Sequence, residues 1–279
     1  MDIAQSSLLI KHSDAAFCLD VSRAGISHEA IACLAEELAA AHHAMGQIEA
    51  GAIKNADENR RVTHFTDRQS YADSATFAEV EAFFAQQRAE GTINSVVING
   101  IGGSALGPQL VQQAVNGPYW NELSGDKRGG AARLYFTDNT DPAGVTDVLA
   151  VVDLAHTCVV TISKSGGTRE SRNNMLVFEK AYTDAGLDFA AHACAVTMPG
   201  SKLDQYAVAG GWVARWPMAE SIGGRTSEMA VVGHVPAAAA GVDFKAMVDG
   251  ALTMDAWTRA EDVSENPAYL LAATWYLLG

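Results

Sequence analysis

A chain of 279 residues, 48% of them hydrophobic, can bury a full core, and its length suits one large domain or two small ones. Its formal charge of −14 excludes the basic stripe that a nucleic-acid backbone or an anionic membrane surface requires. No nucleic-acid or membrane partner is therefore expected, and any anionic ligand must be held by local groups. The opening segment MDIAQSSLLIKHSD lacks a basic n-region with a long apolar core. No apolar run reaches the ~18 residues of a membrane span, so neither a signal peptide nor a span is expected, and the setting is read as cytoplasmic.

In chain order, residues 1–24 hold short mixed runs, Ser7-Leu8-Leu9-Ile10 and Ala16-Phe17-Cys18-Leu19, that read as an extended arm. Ile31, Leu34, Ala35 and Leu38 predict an amphipathic helix from Ser27 to about Met45, with Ser27 as its N-cap. The polar stretch Gly51–Arg68 reads as a surface loop or short helix in which Glu58, Arg60 and Arg61 form a solvated ion-pair face. His64 within it is open to a ligand or base role, although a lone histidine is more often structural. A helix from Ala75 to about Glu90 follows, with Phe77, Val80, Phe83 and Phe84 on one side.

From residue 94 the pattern alternates. Strands are predicted at Ser95–Asn99, Ala132–Thr137, Cys158–Ser163, His192–Thr197 and Trp212–Trp216, with helical patterns after the first four. Such alternation indicates an α/β fold, a parallel sheet with helices on both faces, whose ligands sit at the carboxyl ends of the strands. Beyond about Glu228 the chain reads as helices: an alanine-rich run broken at Pro236, then Phe244–Thr258, then Pro267–Leu278. The last of these is apolar on nearly every face and predicts either further chain or a partner covering it. Of the four cysteines, Cys18, Cys33, Cys158 and Cys194, none forms a C-x-x-C pair, and Cys158 and Cys194 lie in strand-like runs as buried free thiols.

Two stretches at the carboxyl edge carry chemistry. Gly100–Pro108, GIGGSALGP, follows the first strand and opens a helical pattern. Glycines there let the backbone approach an oxyanion at a helix N-terminus. Ser163–Thr168, SKSGGT, offers three hydroxyls, one lysine and several backbone N–H groups within six residues, which is the donor set a phosphate needs. Asp138–Asp141 and Glu220–Ser227 fall at the same edge. Gly100, Gly102 and Ala105 also satisfy the dinucleotide fingerprint G-x-G-x-x-G/A, but the acid it requires about twenty residues on is met only by Glu122 in a loop-like stretch, with the strand-end Asp138 much farther along, which leaves a nicotinamide-dependent enzyme as the runner-up. Arg225, after two glycines, reads as stabilising negative charge on a substrate oxygen, or as a surface ion pair with Glu220 or Glu228. His234, Met229, Trp212, Trp216 and Trp257 read as packing. No H-E-x-x-H, metal-spaced cysteines, G-x-S-x-G elbow or G-x-x-x-x-G-K-[ST] loop occurs, so no metal is expected.

GIGGSALGP, SKSGGTRES and ESIGGRTSE, in that order and at these spacings, resemble the three signature stretches of the glucose-6-phosphate isomerase family. Asn55-Ala56-Asp57-Glu58-Asn59-Arg60, with His64, is similar to that family's N-terminal N-x-(S/T)-E-x-R segment. The resemblance implies the sugar isomerase (SIS) fold, a three-layer αβα sandwich with a five-stranded parallel sheet. An N-terminal arm and helices over residues 1–75 would precede a sugar-phosphate-binding domain over 76–235. Residues 236–279 would be a helical segment leading toward a second such domain.

By the same resemblance Gly103 and Ser104 face the sugar, Ser163, Lys164, Ser165 and Thr168 hold the phosphate, and Arg225 sits by the reacting carbons. The ligands are glucose 6-phosphate and fructose 6-phosphate, no cofactor is needed, and the full-length protein is a homodimer. The phosphate loop departs from the family's bulkier, threonine-rich form at Ser165-Gly166-Gly167. The family's base, a glutamate, its ring-opening histidine and a further lysine would come from beyond Gly279, so an N-terminal half that lacks the base is expected. Three readings stay open here: the isomerase, a non-catalytic sugar-phosphate-binding regulatory module, and the nicotinamide-dependent enzyme.

Overall fold

A computed structural model describes residues 8–12 and 17–279. Two compact units divide the chain, one made of the residues up to Val62 together with Asp249–Gly279, the other of Thr63–Val248.

The first unit begins with an antiparallel hairpin, β1 (Leu9–His12) and β2 (Phe17–Asp20), where an extended arm is expected. Ser7 and Ala16 of the expected arm lie outside the described residues. The helix expected over Ser27–Met45 is two: α1 (His28–Ala32), capped by Ser27 Oγ accepting from Ala30 N at 3.2 Å, and α2 (Ala35–Glu49). The break at Cys33-Leu34 lets Ile31, Leu34 and Leu38 all turn into one small core with Leu8, Ile10 and Val21. In the polar stretch Asn55 bridges to Arg60, and Arg60 pairs with Glu58.

The second unit opens with α3 (Asp67–Ala72) and α4 (Ala75–Glu90). Ser74 Oγ caps α4 by accepting from Phe77 N, and Gly91 at φ +66° ends it, so the helix has the limits expected of it. Then come β3 (Ser95–Asn99), α5 (Leu106–Val111), β4 (Arg133–Thr137), α6 (Pro142–Val151), β5 (Thr157–Ile162), α7 (Arg169–Asp184), β6 (Ala193–Thr197), α8 (Lys202–Gly210), β7 (Ala214–Pro217) and α9 (Val231–Ala239). The five strands form one parallel sheet in the order β4-β3-β5-β6-β7.

Val97, Val159, Ala193 and Ala195 of the sheet meet Val145 and Val148 of α6, Phe178 of α7 and Ala207 of α8 in one core. Residues of the opposite parity, Val96, Ile98, Val160 and Val196, are equally buried, and α9 and α4 pack on β3 and β7. Both faces are therefore covered, as an all-parallel sheet requires. The last strand begins two residues later than expected, because Trp212 is drawn into the core against Phe189 after the left-handed turn at Gly211. Cys158 and Cys194 are buried and free, their sulfurs 3.4 Å apart, and burial raises the Cys194 thiol well above its ordinary range.

Pro236 does not break the alanine-rich run. It lies inside α9, where the lost backbone hydrogen bond and the clash of the ring with the preceding turn together cost about 3 kcal/mol, and the burial of all nine residues of that helix offsets it. The helix α10 (Phe244–Trp257) follows. In the first unit α11 (Pro267–Leu278), capped by Asn266 Oδ1, buries Leu270 and Ala273 and exposes Trp275, Tyr276 and Leu278. Among the described residues no helix is long and apolar enough to cross a membrane.

Candidate functional site

The chain leaves β3 toward one neighbour and returns to β5 on the other side, so the loops after β3 and β5 flank the point where the strand order reverses. The first is GIGGS. Gly102 takes φ +57° and starts a short 3-10 turn, Gly102–Ser104. A side chain on Gly103 is sterically impossible: its Cβ would stand 1.8 Å from the carbonyl oxygen of Gly224. Ser227 Oγ donates to the carbonyls of Gly103 at 3.3 Å and Gly224 at 2.8 Å, which fixes the GIGGS and GGRTS stretches against each other.

The second loop, Ser163–Thr168, is anchored from below. Ser163 N donates to Val196 O at 3.0 Å, and Thr197 Oγ1 donates to Ser163 O at 2.6 Å. Gly166 sits at φ +65° with Leu203 N directly behind it, so the turn has room only for glycine. The hydroxyls of Ser163 and Thr168 lie 3.3 Å apart, and Ser165 Oγ accepts from Gly167 N at 3.2 Å. Ser163, Gly166, Gly167 and Thr168 line a cavity of about 310 Å³. Thr168 occupies the N-cap position of α7 but makes no side-chain cap bond, which leaves the first-turn N–H groups for a ligand.

Lys164 turns away from its own loop. Its ammonium donates to Glu220 O at 2.6 Å and to Ile222 O at 3.0 Å, tying the second loop to the third. Arg225 projects, exposed, from the 3-10 turn Gly224–Thr226, and among the described residues it forms no ion pair with Glu220 or Glu228. All three signature stretches thus meet at one sheet edge, and the meeting brings Gly103, Ser104, Ser163, Lys164, Ser165, Thr168 and Arg225 onto adjoining loops.

Asn99, which no motif marks, and Glu228, read from the sequence as an ion-pair partner for Arg225, also belong to this assembly. Asn99, fully buried at the end of β3, donates from Nδ2 to Ser171 O at 2.7 Å and so fixes the start of α7. Glu228 places its carboxyl against Gly107 and Gly233, with neither oxygen hydrogen-bonded, and burial pushes it up to about 8. Elsewhere, His64 meets Phe65 edge-on, and His234 is fully buried between Phe77 and Phe244. Glu122 lies in a short turn after α5, and Asp138 accepts from Gln109 at 2.7 Å. No group of three metal-ligating side chains occurs among the described residues.

Comparison with known proteins gives this geometry a family. The glucose-6-phosphate isomerases of Geobacter sulfurreducens and Trichormus variabilis are each 42% identical to the chain and align with 96% of it. The alignment covers 52% of each relative, so the chain spans about half the length of the curated relatives it matches. Among solved structures, a glucose-6-phosphate isomerase from Chlamydia trachomatis superposes with a TM-score of 0.82 at 24% identity, over 100% of this chain and 55% of that one. A hypothetical protein from Thermus thermophilus gives 0.70 at 25% identity, over 90% of this chain and 54% of the other. Because the phosphoglucose isomerase family model matches residues 20–277, the chain belongs to that family.

Proposed function

We propose that this chain binds a sugar phosphate and forms the phosphate-anchoring part of a glucose-6-phosphate isomerase. Such an enzyme interconverts glucose 6-phosphate and fructose 6-phosphate, a step of glycolysis and gluconeogenesis, by moving a proton between C1 and C2 through an enediolate. The observation that carries the reading is the convergence of the three signature loops at the switch point of one parallel sheet.

In this reading the hydroxyls of Ser163, Ser165 and Thr168 and the free N–H groups at the start of α7 hold the phosphate. Gly103 and Ser104 face the sugar. Arg225, unpaired within its loop, sits by the reacting carbons and stabilises the charge that develops on the enediolate oxygens. General-base catalysis needs a group within hydrogen-bond reach of the C1 and C2 protons, and we assign it to the length of the relatives that this chain does not share. A cytoplasmic setting, no cofactor and a homodimeric whole protein go with this assignment.

Titration of the chain with glucose 6-phosphate tests the anchor. The double variant Ser163→Ala, Thr168→Ala is expected to lower affinity at least about tenfold, through two lost charge-assisted hydrogen bonds; unchanged affinity would rule the loop out. A coupled assay of fructose 6-phosphate conversion tests the division of labour, since enzyme-like turnover by these residues alone would place a base among them.

A further inference from the structure

A phosphate monoester carries between one and two negative charges at neutral pH, and this chain carries fourteen in net excess, so the pocket needs cations of its own. Lys164 is the cation of the loop, yet two of its three N–H bonds point to the carbonyls of Glu220 and Ile222. The cavity beside the loop is better supplied. Arg169 and Arg172 of α7 and Lys202 of α8 line it, and among the described residues none of the three forms an ion pair. Ser171 lines it too: that side chain is 1% exposed and its Oγ has no hydrogen-bond partner. A buried hydroxyl is left unpaired only at a cost, and one on a cavity wall beside open helix N–H groups and three cations suits an anion. Tyr206, on the same wall, is already committed, its hydroxyl donating to Glu179 at 2.7 Å.

We propose that Arg169, Arg172, Lys202 and the Ser171 hydroxyl form the charged half of the phosphate pocket, so that the cavity between α7 and α8 takes the dianion of a phosphate monoester and Lys164 serves as the strap between loops. The proposal rests on reading Ser163–Thr168 as the phosphate loop and adds residues outside that loop. The two guanidinium groups can meet phosphate oxygens in pairs, which an ammonium cannot do.

The test is calorimetric titration of the purified chain with glucose 6-phosphate, with unphosphorylated glucose as control, at several salt concentrations. Arg172→Ala and Lys202→Ala are each expected to weaken binding about tenfold and to flatten the dependence of affinity on salt, because each removes a charge at the anion. Ser171→Ala is expected to weaken binding without changing the salt dependence, and so is Lys164→Met. The side chains of Arg169, Arg172 and Lys202 are exposed, so their variants keep their fold, which the melting temperature verifies. Wild-type affinity in both Arg172→Ala and Lys202→Ala, with binding lost in the Ser163→Ala, Thr168→Ala double variant, would overturn the proposal and leave the loop reading standing. A flattened salt dependence in Lys164→Met would overturn it as well, by returning the charge to that lysine. A wild-type chain with no more affinity for glucose 6-phosphate than for glucose would overturn the loop reading and this proposal together.

Discussion

Gly103 and Gly224 touch backbone to backbone, but the contact is not symmetric. A Cβ on Gly103 would meet the Gly224 carbonyl at 1.8 Å, whereas one on Gly224 would meet nothing nearer than the Gly103 Cα at 3.9 Å. Gly103→Ala must therefore part the two loops, at a cost of about 1–3 kcal/mol, with loss of sugar-phosphate affinity. Gly224→Ala is expected to change stability by less than about 0.5 kcal/mol. Chemical unfolding of the two variants side by side measures the asymmetry, and equal losses would contradict it.

Removing the Lys164 ammonium with Lys164→Met leaves the carbonyls of Glu220 and Ile222 without their charged donor. Hydrogen bonds to charged groups are worth about 1.5–3 kcal/mol, so the third loop is expected to loosen by that order. Faster amide exchange confined to residues 218–227, with the sheet unchanged, is the signature to look for.

Glu228 makes stability depend on pH. Its carboxyl is pushed up to about 8 by burial, while in the unfolded chain it returns to its ordinary 4.5. Between those values the folded chain binds a proton that the unfolded chain has released. The contribution is thus fully present below 4.5 and is lost as pH rises through 8, by roughly 5 kcal/mol in all. Glu228→Gln, which cannot ionise, is expected to remove that slope, so the variant gains on the wild type as pH rises from about 5 to 8 in urea melts.

His234 is held on both nitrogens. Glu81 can only accept, so Nε2 carries the proton and donates to Glu81 Oε1 at 2.7 Å, and Nδ1 accepts from the Tyr71 hydroxyl at 2.8 Å. Replacing it by phenylalanine preserves the stack between Phe77 and Phe244 but strands the half-buried Tyr71 hydroxyl. His234→Phe is expected to cost about 1–3 kcal/mol, and adding Tyr71→Phe should recover part of the loss. A double-mutant cycle with no coupling would show that the hydroxyl finds another partner.

The parallel sheet, its covering helices and the loops at its carboxyl edge are legible in the sequence, whereas the contacts between those loops and the burial of single side chains are not. Ser95–Asn99 reads as a strand because a β-branched apolar run ends in glycines, and Ala75–Glu90 reads as a helix because Phe77, Val80, Phe83 and Phe84 recur on one side. The three glycine-bearing stretches were visible for the same reason. Pro236 misled because a proline signals an interruption locally, while full burial of α9 decides the outcome. Nothing in SKSGGT announces the carbonyls of Glu220 and Ile222 that the Lys164 ammonium reaches. No motif singles out Arg172 or Lys202, since only the packing of α8 beside α7 brings them to one cavity. The burial of Asn99 and of the Glu228 carboxyl is not legible, because burial is a property of the assembled sheet.

The bond from Ser227 to Gly103 joins residues 124 positions apart. During folding or synthesis the loop after β3 therefore waits for the loop that supports it, and closing so long a chain segment is a slow, entropy-limited event. A chain halted anywhere between β7 and Ser227 would lack both the loop against which Gly103 rests and the helix α9 that packs on β3.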